Sequence, residues 1–417
     1  LRGSLAAVAV LMVAAAAPAA TTAAGTGAGT TQGVRVVSAG NFLFPDGVAG
    51  TQGDALQQVD EIVSRAHEVL AQRGLSIGAM IQHTIFLKEG AASPIELLGR
   101  FHAAATRLAP GLKDRPSVGT IVRVPEFPDK DTLVVLDMVA AAPSKAGAVD
   151  EFQRMPFSFG PQEIVETIRV DPVVFTSGFE AWDFEHDTLA PGLDAQIDAI
   201  IDKLNVAATR AGLTIGNMLT HTLYVQKGVD PMRVIGRIHP SMGRYTQDLA
   251  KNPPVGGIMI VDGMAMPGFL VEMDAVLGLG KPEDHERVPL SEVSLAVSRS
   301  VAAGKLIFLS SMPGVDFENQ LTTPADVMQQ VDIAVKNVHH SLQKSGLGIG
   351  SMVKHRLYLK KGAGDPTKVR ARFHEAVLRY APELAQRPSA ETFIIVEGLA
   401  TPERLFEVQA IAARPGP

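Results

Sequence analysis

Gly74–Gly90 reads GLSIGAMIQHTIFLKEG, and the chain returns to this stretch twice, as GLTIGNMLTHTLYVQKG over Gly212–Gly228 and as GLGIGSMVKHRLYLKKG over Gly346–Gly362. Each copy opens on a Gly-Leu pair suited to the end of a helix and continues into strand-like residues, with one histidine in register (His83, His221, His355). Three further landmarks keep the same order around it. A Gln-aliphatic-Asp element appears as Gln58-Val59-Asp60, Gln196-Ile197-Asp198 and Gln330-Val331-Asp332. An Arg-apolar-His element appears at Arg100–His102, Arg237–His239 and Arg372–His374, and a proline-led strand starts at Pro116, Pro253 and Pro388. Four landmarks in one order, three times over, make the chain a triplication.

Within a copy the periodicity predicts two strands, a helix, a strand, a second helix and two closing strands. In the third copy KLIFLSS reads as a strand and DVMQQVDIAVKNVHHSLQKSG as a helix stopped by Gly346. MVKHRLYLKKG is the next strand, DPTKVRARFHEAVLRY a helix opened by Asp-Pro, and TFIIVEG with RLFEVQAIAA the last pair. The expected fold class is therefore α+β, with repeats over 33–142, 157–278 and 287–413. The connectors PSKAGA near Pro143 and GLGKPEDHE near Gly278 are rich in Gly, Pro and charge, as linkers are.

The composition is globular, with 46% hydrophobic and 20% charged residues. Forty-four acidic against 38 basic residues give a net charge of −6 without a basic block, which argues against nucleic acid and leaves a small-molecule or protein partner. Residues 1–24 carry Arg2, an apolar run from Leu5 to Ala17 and a small-x-small site at Ala17-Pro18-Ala19, the layout of a secretory signal peptide. The expected location is periplasmic or secreted, with no membrane association after cleavage. The absence of cysteine excludes thiol chemistry and disulfides. GTGAGTTQG near Gly25 follows no buried strand and is not a phosphate loop, and neither a Gly-x-Ser-x-Gly elbow nor a His-Glu-x-x-His motif occurs.

The helix with its glutamine, the Gly-Leu stop, the H-x-[IL]-[FY]-[LV] strand and the final E-x-[DQ]-A-[IV] strand resemble the Rid family, also called YjgF or L-PSP. The resemblance implies a trimer folded within one chain, sheets inside and helices outside, with a small-molecule site in each inter-repeat cleft. Self-association of such pseudo-trimers is a further expectation. Family members that hydrolyse imines and enamines hold the substrate carboxylate with an arginine, whose place falls here on Gly119, Gly256 and Glu391. Arg123, further along the first repeat on the same face, is a candidate substitute only for a shifted substrate. The family's last-strand glutamate falls on Val135, Glu272 and Glu407, and its pocket-lining Ser-Gly on Ala39-Gly40, Ser177-Gly178 and Ser310-Ser311.

Alternation along a strand sorts the remaining candidates. His83 shares a face with Ile81, Ile85 and Leu87, His221 with Leu219, Leu223 and Val225, and His355 with Val353, Leu357 and Leu359. That aliphatic face is expected beneath the helices, where His102, His239 or His374 could meet the strand histidine. The expected state is a buried neutral imidazole without cofactor. The runner-up is one copper, iron or zinc ion held by His83, His221 and His355. The opposite face carries Gln82, Thr84 and Phe86, then Thr220, Thr222 and Tyr224, then Lys354, Arg356 and Tyr358, and is expected to line the clefts. The third repeat then offers Lys354, Arg356, Tyr358, Glu391 and Glu407 together. This favours an exported enzyme of hydrolytic or proton-transfer type related to imine deaminases. A metal-dependent oxidase or oxygenase and a non-catalytic ligand-binding pseudo-trimer are the alternatives.

Overall fold

A computed structural model describes residues 29–31, 33–143, 152–157, 164–290, 297–317, 319 and 322–415. The expected export segment and most of the PSKAGA connector lie outside the described residues. Each repeat begins with a hairpin: Val34–Ala39 with Phe42–Pro45, Val165–Val170 with Val173–Thr176, and Ser298–Ala303 with Leu306–Leu309. A long helix follows (Ala55–Ala71, Gly192–Arg210, Val327–Lys344), then the histidine-bearing central strand (Met80–Lys88, Met218–Gln226, Met352–Lys360). A second helix (Pro94–Leu108, Pro231–Gly243, Pro366–Leu378) crosses to a strand parallel to the central one (Val118–Val124, Val255–Val261, Ala390–Val396). The last strand (Val134–Ala141, Val271–Gly278, Phe406–Ala413) inserts antiparallel between hairpin and central strand. The predicted element order holds in all three copies. Short edge strands at Gly29–Thr31, Gln153–Pro156 and Arg287–Pro289 extend the sheets and were not predicted.

The repeated motifs are the joints of this unit. Gly74, Gly212 and Gly346 take φ of +71°, +72° and +74°, a left-handed turn that ends each long helix without a Cβ clash. The buried amides of Gln58, Gln196 and Gln330 bridge each long helix to the loop before the last strand. Gln330 Nε2 donates to the Glu403 carbonyl and Gln330 Oε1 accepts from the Leu405 amide, both at 2.8 Å. Gln58 and Gln196 make the same pair of bonds to Asp131 and Leu133 and to Gly268 and Leu270. The neighbouring aspartates clamp helix to helix: Asp60 with Arg100 and Arg107, Asp198 with Arg237 and Arg244, Asp332 with Arg372 and Arg379. Two of the four landmarks, the Gln-aliphatic-Asp element and the arginine of the Arg-apolar-His element, thus serve the structure.

Each sheet has two buried faces. One packs under its own helices, as in the cluster of Val59, Ile62, Leu70, Ile85, Leu87 and Phe101. The other meets the other two sheets on a common axis, where Phe42, Phe44, Val165, Phe175, Val301 and Phe308 join from all three repeats. The axis, rather than the clefts, receives the face that carries Lys354, Arg356 and Tyr358.

The expected parity fails at one place and for one reason. The register of central against last strand shifts between Met80 and Gln82, Met218 and Thr220, and Met352 and Lys354. A bulge adds one residue and restarts the alternation. Ile81, Leu219 and Val353 therefore join the axial core instead of the helix-side face. The histidines lie beyond the bulge and stay on the helix side. Among the described residues, no helix is long and apolar enough to cross a membrane.

Candidate functional site

The three repeats close head to tail through the same backbone joint. Gly178 donates its amide to the Gly119 carbonyl at 3.1 Å, Ser311 to Gly256 at 3.0 Å, and Gly47 to Glu391 at 2.8 Å. A return bond runs from the Gly119 amide to Ser177 Oγ, from the Gly256 amide to Ser310 Oγ, and from the Glu391 amide to Asp46 Oδ1. Asp46-Gly47 is therefore the counterpart of Ser177-Gly178 and Ser310-Ser311. The expected counterpart, Ala39-Gly40, is instead at the hairpin turn, which precedes the second strand, whereas the joint forms after it.

Beside each joint stands the last-strand position opposite an aromatic residue: Val135 opposite Phe86, Glu272 opposite Tyr224, and Glu407 opposite Tyr358. The three clefts differ in what surrounds it. Between repeats one and two, a Cβ on Gly178 would lie 1.9 Å from Glu272 Oε1 and 2.6 Å from Thr120 Oγ1, so the carboxyl is folded against the joint. Burial, then the charges of Glu180 and Asp274, raise the Glu272 carboxyl well above the usual range. Between repeats three and one the carboxyl is replaced by Val135.

Between repeats two and three the cleft is open. Gly256 and Gly257 leave its floor without side chains, Gly257 standing where Thr120 and Thr392 stand in the parallel strands of the other repeats. The cavity is about 190 Å³, with walls that include Leu223, Ile235, Ile238, Ile258 and Phe317. At its polar end Glu407 Oε2 accepts from Ser311 Oγ at 2.6 Å, and Oε1 accepts from Arg404 at 3.0 Å. The Glu407 side chain is 1% exposed, and burial raises its carboxyl above the usual range despite the opposing pull of Arg404 and Ser311. A buried carboxyl, a hydroxyl and a guanidinium meet there at the end of an apolar slot.

The other candidates lie elsewhere. Lys354 Nζ donates to the Pro45 carbonyl at 2.6 Å and pairs with Asp137, which also receives Arg356. Tyr358 is fully buried with its hydroxyl toward Gln409, so these three residues hold the axis and do not line the cleft of Glu407. Arg123 bonds Glu89 and the Met264 carbonyl, tying an edge of repeat one to a loop of repeat two rather than facing a cleft. Glu391 is enclosed by His355, His374 and Arg370. Ser177, Gly178 and Ser310 sit in the joints. Arg404 was missed, although its place three residues before Glu407 on the approach to the last strand was a local signal.

The strand histidines do not converge. His83 packs 4.9 Å from the Phe101 ring and 5.9 Å from His102, and His355 packs 4.9 Å from Phe373, each beneath its own helix. Among the described residues, the only metal-competent group is His355, His374 and Glu391. Burial, then the nearby His102, lowers His83 to about 3, and burial, then His239, lowers His221 to about 4. At Gly119 and Gly256 a Cβ would come within 2.5 and 2.6 Å of the His83 and His221 rings. An arginine has no room at either position.

Residues 292–414, essentially the third repeat, match the family described as Endoribonuclease L-PSP. A YjgF-family protein from Mycobacterium tuberculosis is similar at 20% identity, over 31% of this chain and 99% of its own, with a TM-score of 0.25. TdcF of E. coli, solved with bound serine, is similar at 21% identity over 31% and 94%, with a TM-score of 0.25. A chorismatase is similar at 12% identity over 81% and 93%, with a TM-score of 0.47. No curated protein matches the chain. Residues 292–414 are thus a domain of the Rid (L-PSP) family, and the three like sheet-and-helix units fit a triplication of that fold within one chain.

Proposed function

We propose that the cleft between the second and third repeats is the working site of a small-molecule enzyme of hydrolytic type, acting on an imine or enamine with an apolar substituent. The observation that carries this reading is Glu407: buried, bonded by Ser311 and Arg404, and placed at the polar end of an apolar cavity floored by two glycines. In this reading Glu407 takes a proton from water as its oxygen adds to the carbon of the C=N bond. It then returns that proton to the nitrogen of the resulting carbinolamine, takes up the hydroxyl proton and delivers it to nitrogen as the C–N bond breaks, leaving a carbonyl compound and ammonia. Arg404 holds an anionic group of the substrate or the developing charge, a role that the residues at Gly119, Gly256 and Glu391 do not fill. The Leu223, Ile238 and Phe317 walls select an apolar body.

The test supplies 2-imino acids formed in place by an amino-acid oxidase from leucine, phenylalanine and serine, and follows keto-acid release. Glu407→Gln is expected to lose about 10²-fold or more of turnover, with leucine- and phenylalanine-derived imines preferred over the serine-derived one. Glu272→Gln is expected to change turnover little, because its cleft is closed. Turnover by Glu407→Gln equal to that of the parent sinks the reading. Export through residues 1–24 belongs to the same proposal and is tested by cell fractionation of the full chain.

A further inference from the structure

The histidine pair between central strand and second helix occurs in every repeat, but in the third a carboxylate joins it. His83 with His102, and His221 with His239, face Gly119 and Gly256, which offer no side-chain ligand. In the third repeat the corresponding residue is Glu391, whose Oε2 lies 3.0 Å from His355 Nε2 and 2.7 Å from His374 Nε2. We propose that His355, His374 and Glu391 form a binding site for one divalent transition ion of the zinc or iron(II) class.

Two imidazole nitrogens and one carboxylate oxygen are a donor set for such ions, three protein ligands leaving further positions to water or a ligand. The three donor atoms lie within 4.8 Å of one another. Neighbouring ligands bonded at about 2.1 Å to one ion stand about 3.0–3.4 Å apart, so side-chain adjustment suffices to admit it.

The surroundings hold each ligand in place. Ser389 Oγ, 3.0 Å from His355 Nδ1, turns the other ring nitrogen toward Glu391. Arg370 occupies Glu391 Oε1 and leaves Oε2 to the histidines. The Glu391 amide is fixed by Asp46 across the seam. His355 and Glu391 are 4% and 2% exposed in their side chains whereas His374 is 46% exposed, so the site opens outward on one side. A cavity of about 230 Å³, lined by Arg35, His355, Phe373, His374 and Ser389, lies next to it. The site is remote in composition from the cleft of Glu407, with which it shares no residue.

The experiment uses untagged protein purified without metal resin, stripped with chelator and titrated with Zn²⁺. Bound metal is measured by mass spectrometry after gel filtration, and Co²⁺ is used in parallel for its visible d–d bands. One equivalent of zinc is expected, and His374→Ala and Glu391→Gln are expected to bind about 10–100-fold more weakly. His239→Ala, the matching change in repeat two, and Glu407→Gln are expected to bind as the parent does. Because His374 is half exposed, its variant is expected to fold, which a thermal melt checks. A parent protein that takes up neither Zn²⁺ nor Co²⁺, or a folded His374→Ala that binds zinc as the parent does, overturns the proposal.

Discussion

Lys354 in the third repeat and Asp137 in the first form an ion pair on the axis, with 4% and 0% of their side chains exposed. Arg356 and Thr392 bond the same carboxylate, so one aspartate is the direct ion-pair partner of two buried cations. Asp137→Ala removes the direct ion-pair partner of both and is expected to cost about 3–5 kcal/mol, read from the denaturant midpoint.

The same pair sets an acid limit. Burial alone would raise the Asp137 carboxyl, but Arg356 and Lys354 outweigh it and hold it well below the usual range. The folded state thus binds this proton less readily than the unfolded chain. Its stabilising contribution is full above the unfolded value of 3.8 and is lost as pH falls toward the folded one. The stability gap between parent and Asp137→Ala is expected to stay constant from pH 8 to 5 and to narrow below about pH 4.

Glu272 predicts the opposite slope. Its folded carboxyl is raised, so its contribution is complete below the unfolded value of 4.5 and disappears as pH climbs through the folded one. Glu272→Gln is expected to gain stability over the parent on going from pH 5 to pH 8, by roughly 1.4 kcal/mol for each unit over which the carboxyl is kept protonated. Equal pH slopes for the two proteins in urea melts would remove the buried-acid account of the closed cleft.

Gly256→Ala drives a methyl to 2.6 Å from the His221 ring and is expected to destabilise by about 1–3 kcal/mol. Gly236→Ala, on an exposed helical turn with open space around its Cβ, is expected to be neutral or to stabilise by about 0.5–1 kcal/mol. Thermal melts of the two variants separate steric filling from backbone entropy.

Gln330 positions the loop that carries Arg404 and leads into Glu407, through its bonds to Glu403 and Leu405. Gln330→Leu and Gln58→Leu are each expected to cost about 1–3 kcal/mol per orphaned backbone group. Only Gln330→Leu is expected to lower imine turnover, with KM and kcat both moving, while the equivalent change at Gln58 leaves turnover unaltered.

The fold was legible because repetition and periodicity are local signals: Gln58, Asp60, Arg100 and Gly74 each carry out a task within one repeat. Sites between repeats were less legible. Alternation placed His83 correctly but misplaced Ile81, since a bulge leaves no mark in a single strand's composition. Lys354 and Arg356 look like cleft residues until Asp137, from another repeat, is seen to neutralise them. Ala39 and Asp46 stand at opposite ends of the same hairpin, and the sequence of one repeat does not say which end meets Glu391 of another.

That seam has a further consequence for assembly. Repeats one and two, and two and three, are joined by chain as well as by contact, whereas repeats three and one meet only through contacts such as Gly47 with Glu391, Asp46 with Glu391 and Lys354 with Asp137. Linkage keeps the first two joints at high effective concentration. The third is a head-to-tail joint between two different surfaces, closed within one chain by contact alone. The buried charges at this unlinked joint therefore hold the ring closed where the chain itself does not.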